Sequence, residues 1–228
     1  MRKAPFTNGN IYHVFNRGVD RRDIFLENPD YFRFIHDLYE FNDKAPAPNA
    51  YYSTSYDFGD NVQDNREPIV DILAFCLMPN HFHLLLRQRE DNGITFFMRK
   101  IGCGYANYFN TKNERSGALF QGRFKAVYIQ NNFQLLHIPY YIHANPIDLV
   151  QYHWKEKGLI KTTKHISNFL ESYRWSSYPD YVGKRNFPVV IQKEFLNNLV
   201  GGKKQFKKTM ALWIQHYDQN NVLDISID

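Results

Sequence analysis

The sequence predicts an α+β fold: an antiparallel sheet in the ferredoxin-like βαββαβ arrangement, with both crossover helices on one face. Three observations predict it. Short runs around 10–17, 69–78 and 81–88 are rich in apolar and β-branched or aromatic residues and are bounded by turn residues, as strands are. Two further stretches, 28–42 and 94–111, carry apolar residues at helical spacing. At 228 residues and 43% hydrophobic composition, the chain has material for one sizeable core with an appendage.

Taken in order, Asn10 to Arg17 reads as the first strand, ended by Gly18. Asn28-Pro29 opens the first helix, with asparagine as the cap and proline at the first helical position. Phe32, Ile35, Leu38 and Tyr39 share one face of it. Residues 44–68 break the pattern with Lys-Ala-Pro-Ala-Pro-Asn-Ala and then polar, acidic residues, so they read as an insertion. Ile69 to Met78 and His81 to Gln88 are the second and third strands, joined at Pro79-Asn80. Asn92-Gly93 leads into the second helix, and Ala118 to Gln130 forms a fourth strand with Gly122 as a bulge or kink. Asn132 to Pro146 reads as a third helix, kinked or restarted at Pro139. This topology leaves the second sheet face open to a ligand. Residues 151–228 form a C-terminal extension with a helical stretch around 190–216 and a basic patch at Lys203, Lys204, Lys207 and Lys208.

Composition narrows the setting. No apolar run approaches the roughly 18 residues of a membrane span. The start, Met1-Arg2-Lys3-Ala4-Pro5, lacks the apolar centre of a secretory signal. Cys76 and Cys103 suit buried thiols in a reducing compartment, so a cytoplasmic location is expected. The net charge is +5 and it is concentrated. Residues 95–130 hold Arg99, Lys100, Lys112, Arg115, Arg123 and Lys125 against Glu114 alone, interleaved with eight aromatics. Cations for phosphates beside flat rings for bases suit single-stranded nucleic acid. Most of those aromatics taken singly are core residues. Arg17, Arg123 and Lys125 read equally as phosphate clamps and as solvated charge.

The chemistry centres on Met78-Pro79-Asn80-His81-Phe82-His83-Leu84. Strands alternate faces, so His81 and His83 point one way and Phe82 and Leu84 the other. Two imidazoles so placed can hold a divalent metal. Tyr141 is the candidate nucleophile and Asn145, four residues on, shares its helix face. Asn145 offers a neutral oxygen ligand acceptable to Mg²⁺ or Mn²⁺. A phenol is only about one-thousandth ionised at pH 7, but positioning beside a bound phosphate is worth ~10⁵ or more. Tyr140 is the competing nucleophile, about 100° around the helix. His137 reads as a surface or substrate-contact residue, His143 as structural, His13 as a packed strand histidine and Trp175 as a core anchor.

Four motifs in order, Tyr12-His13-Val14-x-x-Arg17-Gly18, Met78 to Leu85, Gly117-x-x-Phe120-Gln121-x-Arg123-Phe124-Lys125 and Tyr141-Ile142-x-x-Asn145-Pro146, resemble the single-tyrosine HUH transposases. With Trp175-Ser176-Ser177-Tyr178 they are most similar to the transposase-like proteins associated with repetitive extragenic palindromes. The resemblance implies a catalytic domain over 8–150, the loop insertion at 44–68 included, followed by the extension 151–228. It implies a metal-dependent endonuclease and strand transferase acting on hairpin-bearing single-stranded DNA through a 5′-phosphotyrosine, with Mg²⁺ or Mn²⁺ on His81, His83 and Asn145 and with Tyr141 attacking. Arg17, Arg99, Lys100, Lys112, Arg115, Arg123 and Lys125 are the DNA-binding candidates. Relatives of this kind work as monomers or homodimers. The alternative is a non-catalytic regulator that binds structured DNA or RNA.

Overall fold

The computed structural model describes residues 5–46 and 66–217. Four strands, β1 (Ile11–Arg17), β2 (Val70–Met78), β3 (His81–Gln88) and β4 (Lys125–Tyr128), form one antiparallel sheet in the order β2-β3-β1-β4. The α+β, ferredoxin-like expectation is borne out. Gly18 ends β1 because a Cβ there would run into the backbone oxygen of Arg22, so the chain can turn sharply only with glycine at that point.

Helices α1 (Asn28–Glu40) and α2 (Gly93–Lys112) cover one face. The cap of α1 lies one residue earlier than expected, at Glu27, whose backbone N–H donates to Asp30 Oδ2. A carboxylate at the third helical position reaches back to that amide better than Asn28 can. Phe82 packs on Phe34 of α1, ring centres 4.9 Å apart, and Phe34 on Tyr105 of α2 at 5.0 Å. Fully burying one such ring contributes roughly 1.5–3 kcal/mol.

The second face is not open. Helix α3 (Asn132–Ala144) lies across β2 and β3, running unbroken through Pro139, and a 3₁₀ turn, Asn145–Leu149, ends it. The extension continues this layer with α4 (Trp154–Lys157), α5 (Thr163–Ser172), α6 (Tyr178–Tyr181), α7 (Lys193–Val200) and α8 (Lys203–Gln215). Gly201 and Gly202, both at positive φ, split the single stretch expected at 190–216 into α7 and α8. Residues 175–177 run along the β2 edge, with Leu77 N donating to Trp175 O (2.8 Å) and Ser177 N to Phe75 O (3.0 Å). Trp175 stacks on Tyr31 at 4.6 Å, a core anchor as expected. Across α8, Phe206 meets Tyr140 (5.0 Å), and Trp213 Nε1 donates to His137 Nδ1 (3.1 Å). His137 therefore docks the extension rather than facing solvent.

Three further readings change. The fourth strand is four residues long, with Phe120 joining Gly18 only through an isolated bridge and Gly122 at φ 131° between them. Cys103 is exposed on α2, whereas Cys76 is buried. Most of the 44–68 insertion, residues 47–65, lies outside the described residues, but its two ends meet: Lys44 N donates to Glu67 O (3.1 Å) and Lys44 Nζ reaches Glu67 (3.0 Å) and Glu90 (3.2 Å). Among the described residues no helix is long and apolar enough to cross a membrane.

Candidate active site

The strand register assembles the site. His81 stands opposite Arg17 on β1 and Met78 on β2, and His83 opposite Phe15 and Cys76. Phe15 in turn faces Lys125 on β4. Directly opposed residues share a face, so Arg17 and Lys125 stand on the histidine side of the sheet. Arg17 Nε donates to Gln121 Oε1 (2.6 Å), which aims the guanidinium along that face. Arg123, exposed, precedes Lys125 by two residues.

Each imidazole has one nitrogen already committed. His81 Nδ1 donates to Asn80 Oδ1 (2.6 Å). His83 Nδ1 shares a hydrogen bond with His13 Nε2 (2.9 Å), and both rings are buried. With His83 donating there, its Nε2 keeps a lone pair for a metal. Such outer hydrogen bonds fix tautomer and ring pose at metal-binding histidines. Burial, reinforced by the nearby charges of His81, His13 and Lys155, holds the His83 imidazole well below its ordinary pKa. The ring is therefore neutral, the form that ligates. The His81 and His83 ring centres are 4.9 Å apart, a separation at which two imidazoles can reach one ion. The pair fits a shared ion. Among the described residues no three His, Cys, Asp or Glu side chains gather as a ready-made cage, so an amide, water or phosphate oxygen must complete the shell.

Tyr141 comes from α3 onto this pair. Its ring centre is 5.8 Å from His13 and 5.9 Å from His83, both in perpendicular contact. Tyr141 is fully buried. Tyr140 turns away toward Phe206 and Trp213, and burial pushes its phenol pKa up. Asn145 is buried at the end of α3, its Nδ2 donating to the backbone oxygens of Tyr141 (2.9 Å) and Ile142 (3.3 Å). That leaves Oδ1 as the atom available for a ligand role. His143 is indeed structural: it is buried, its Nε2 meets Ser177 Oγ (2.8 Å), and burial lowers its pKa to about 3.

The other four cations stand elsewhere. Arg99, Lys100 and Lys112 lie on α2, and Arg115 follows it, in the layer on the Phe82 side of the sheet. Lys112 pairs with Glu27 and Asp30 (each 2.5 Å), Lys100 donates to Asp43 O (2.7 Å), and Arg115 donates to Asn110 Oδ1 (2.5 Å). Charge counting along the sequence groups residues that the sheet separates. Two residues at the site escaped the sequence reading: His13 as the partner of His83, and Lys155, whose Nζ is 4.8 Å from the Tyr141 ring centre. The parity of His13 with Arg17 on β1 was a usable signal. Lys155 had none.

Residues 61–145 match the family model of IS200-like transposases. A search of solved structures gives a REP-associated tyrosine transposase bound to a REP hairpin, with a TM-score of 0.51 and 17% identity over 83% of this chain and 88% of that one. No curated protein matches. The resemblance read from the motifs is thus borne out: the chain carries the signature of the IS200-like transposases over 61–145, on the fold of the tyrosine transposase structure.

Proposed function

We propose that this protein cuts and rejoins single-stranded DNA beside hairpins, through a transient link to Tyr141. The observation that carries the reading is the contact of Tyr141 with His83 and His13, on the sheet face that carries His81 and His83. His81 and His83, joined by Asn145 Oδ1, would hold Mg²⁺ or Mn²⁺, which would supply Lewis-acid polarisation of a phosphate oxygen. Tyr141 Oη attacks phosphorus. The new bond is Oη–P and the bond broken is P–O3′, so a 5′-phosphotyrosine and a free 3′-hydroxyl result. The link conserves the bond energy, and a second 3′-hydroxyl can reverse it onto a new strand. Arg17, Lys125 and Arg123 bind the backbone beside the cut. Arg99, Lys100, Lys112 and Arg115 contribute at most to a more distant track.

One chain supplies both phenol and histidines, so a monomer suffices, and a homodimer that exchanges α3 is not required. A cytoplasmic location, where nucleic acid is accessible, goes with this reading. Because Tyr141 is fully buried, side chains around it have to move for a phosphate to reach its hydroxyl.

The test mixes protein, Mg²⁺ or Mn²⁺ and hairpin-bearing single-stranded DNA on a denaturing gel. A covalent adduct that EDTA and Tyr141→Phe both abolish is the expected result. An adduct surviving Tyr141→Phe removes the nucleophile. The burial of Tyr141 favours a second reading, a regulator that only binds structured DNA or RNA; tight, EDTA-insensitive binding with no cleavage selects it.

A further inference from the structure

We infer that the lysine-rich flank of α8, with Lys184 beside it, is a second nucleic-acid surface, one that takes duplex DNA by its phosphates. It stands apart from the proposed cutting site, because α3 lies between the two places. Tyr141 of α3 faces the histidines of the sheet, while Tyr140 on the same helix meets Phe206 of α8.

The strip follows from the helical period. At 100° per residue, Lys203, Lys204, Lys207 and Lys208 fall within an arc of about 140°. Phe206, Met210, Trp213 and Ile214 are buried and dock the helix, and the four lysines stand exposed along its flank. Glu171 on α5 joins Lys184 to this strip, its carboxylate reaching Lys207 (2.6 Å) and Lys184 (3.3 Å). Five lysines against that one glutamate, 5 − 1 = +4, come close to the +5 of the whole chain. Among the described residues no carboxylate pairs with Lys203, Lys204 or Lys208.

This charge is placed against the preferences of the helix itself. The first turn of α8 carries lysines and no acidic residue, where the helix dipole favours anions. Lys203 and Lys207, like Lys204 and Lys208, are equal charges four residues apart, which repel across one turn. The docking of α8 rests on its buried side chains, so these lysines weaken the helix without helping it pack. A polyanion laid along the flank turns that repulsion into attraction.

The chemistry of the strip selects the partner. A surface for single strands interleaves its cations with exposed rings that stack on bases, whereas the rings of α8, Phe206 and Trp213, are buried. An amphipathic membrane helix presents an exposed apolar face. The apolar face of α8 is already docked on the protein, and of its large hydrophobic residues Leu212 alone is exposed. Protein partners are anchored by buried aromatic residues and arginine, with lysine depleted. Mobile ammonium groups in rows suit the evenly spaced phosphates of a duplex.

The test uses the full chain in EDTA with a short blunt-ended DNA duplex. Fluorescence anisotropy follows binding between about 50 and 200 mM salt. Lys203→Gln, Lys204→Gln and Lys208→Gln are introduced together, which leaves Lys207 on Glu171. Three lost phosphate contacts remove roughly 0.9 × 3 ≈ 2.7 from the log–log slope, so affinity should change ~40-fold less than in the wild type over that range. Should the triple variant fail to fold, Lys204→Gln with Lys208→Gln serves in its place, with a difference of ~10-fold. No duplex binding by the wild type at the lowest salt, or the same slope in the variant, overturns the inference. So does binding to phosphatidylserine vesicles that the variant loses, with none to the duplex, since the strip would then be a membrane contact.

The outcomes also separate this surface from the cutting site. Duplex binding that depends on the strip, with no adduct from any protein, overturns strand cutting and leaves the surface standing. Adduct formation together with a duplex slope indifferent to the strip does the reverse.

Discussion

Phe82 and His83 are neighbours on one strand, yet they belong to different kinds of structure. Phe82 enters a layer of packed rings, Phe34 and Tyr105. One residue on, His83 enters a layer in which histidines and a tyrosine are buried together and every nitrogen must be accounted for. The first layer makes the sheet stable. The second uses that stability to keep polar groups dry and aimed. The sheet can do both because its two faces are independent: period-two alternation lets one face change chemistry without altering the packing of the other.

Adjacent substitutions break that comparison most directly. His81→Ala, on the polar face and half-buried, should lower adduct formation on the order of 10³-fold, the several kcal/mol expected of a polarising metal, while unfolding free energy moves by less than about 1 kcal/mol. Phe82→Ala should do the reverse. It leaves a cavity costing about 3–5 kcal/mol, read as a drop in denaturation midpoint, with adduct yield per folded molecule unchanged. Equal losses in both assays for both variants would mean that the faces are not independent.

Salt sharpens the comparison next. If about six phosphates are neutralised, single-strand affinity falls ~300-fold between 50 and 200 mM salt. Neutralising Arg17 and Lys125 together should flatten that slope by more than neutralising Arg99 and Lys100, because only the first pair shares the histidine face. The opposite ranking would move the DNA track to α2. A smaller effect belongs to His13: His13→Phe removes the hydrogen bond to His83 and should weaken Mn²⁺ binding by roughly 10–100-fold, measured by titration calorimetry.

A last expected effect is on stability against pH. Burial holds the His143 pKa at about 3 in the folded chain against 6.5 in the unfolded one. A depressed folded value gives stability that is full above pH 6.5 and lost as pH falls toward 3, at up to about 1.4 kcal/mol for each pH unit. Denaturation midpoints measured between pH 7 and 4.5 should show that fall, and His143→Gln should flatten it.

The sequence made the polar face legible only in part. His81, His83, Tyr141 and Asn145 could be proposed from the sequence because strand alternation and helical spacing act over a few residues, and the ordered motifs linked the two segments. Of the five helices of the extension, α7 and α8 were blurred into one stretch, since both halves are helical and the break at Gly201-Gly202 is only two residues long. His13 was set aside as a packing residue. It is buried, but its partner lies 70 residues away, and only the antiparallel register joins them. Lys155 sits in a single-turn helix with no pattern of its own, and its place follows from Trp154, whose partners Trp213 and Tyr217 lie near the far end of the described chain. The cations were counted correctly and grouped by sequence, whereas the sheet sorts them by face.

The meeting of Lys44 with Glu67 has a practical consequence. Where a chain leaves a domain and returns at one spot, closing it there with a short turn costs little, because loop-closure entropy grows only with the logarithm of length. Residues 47–65 are therefore a natural graft point: they can be trimmed to a tight turn, or replaced by a fluorescent reporter, with Arg66 kept on Asp43 and the strands on either side left in register.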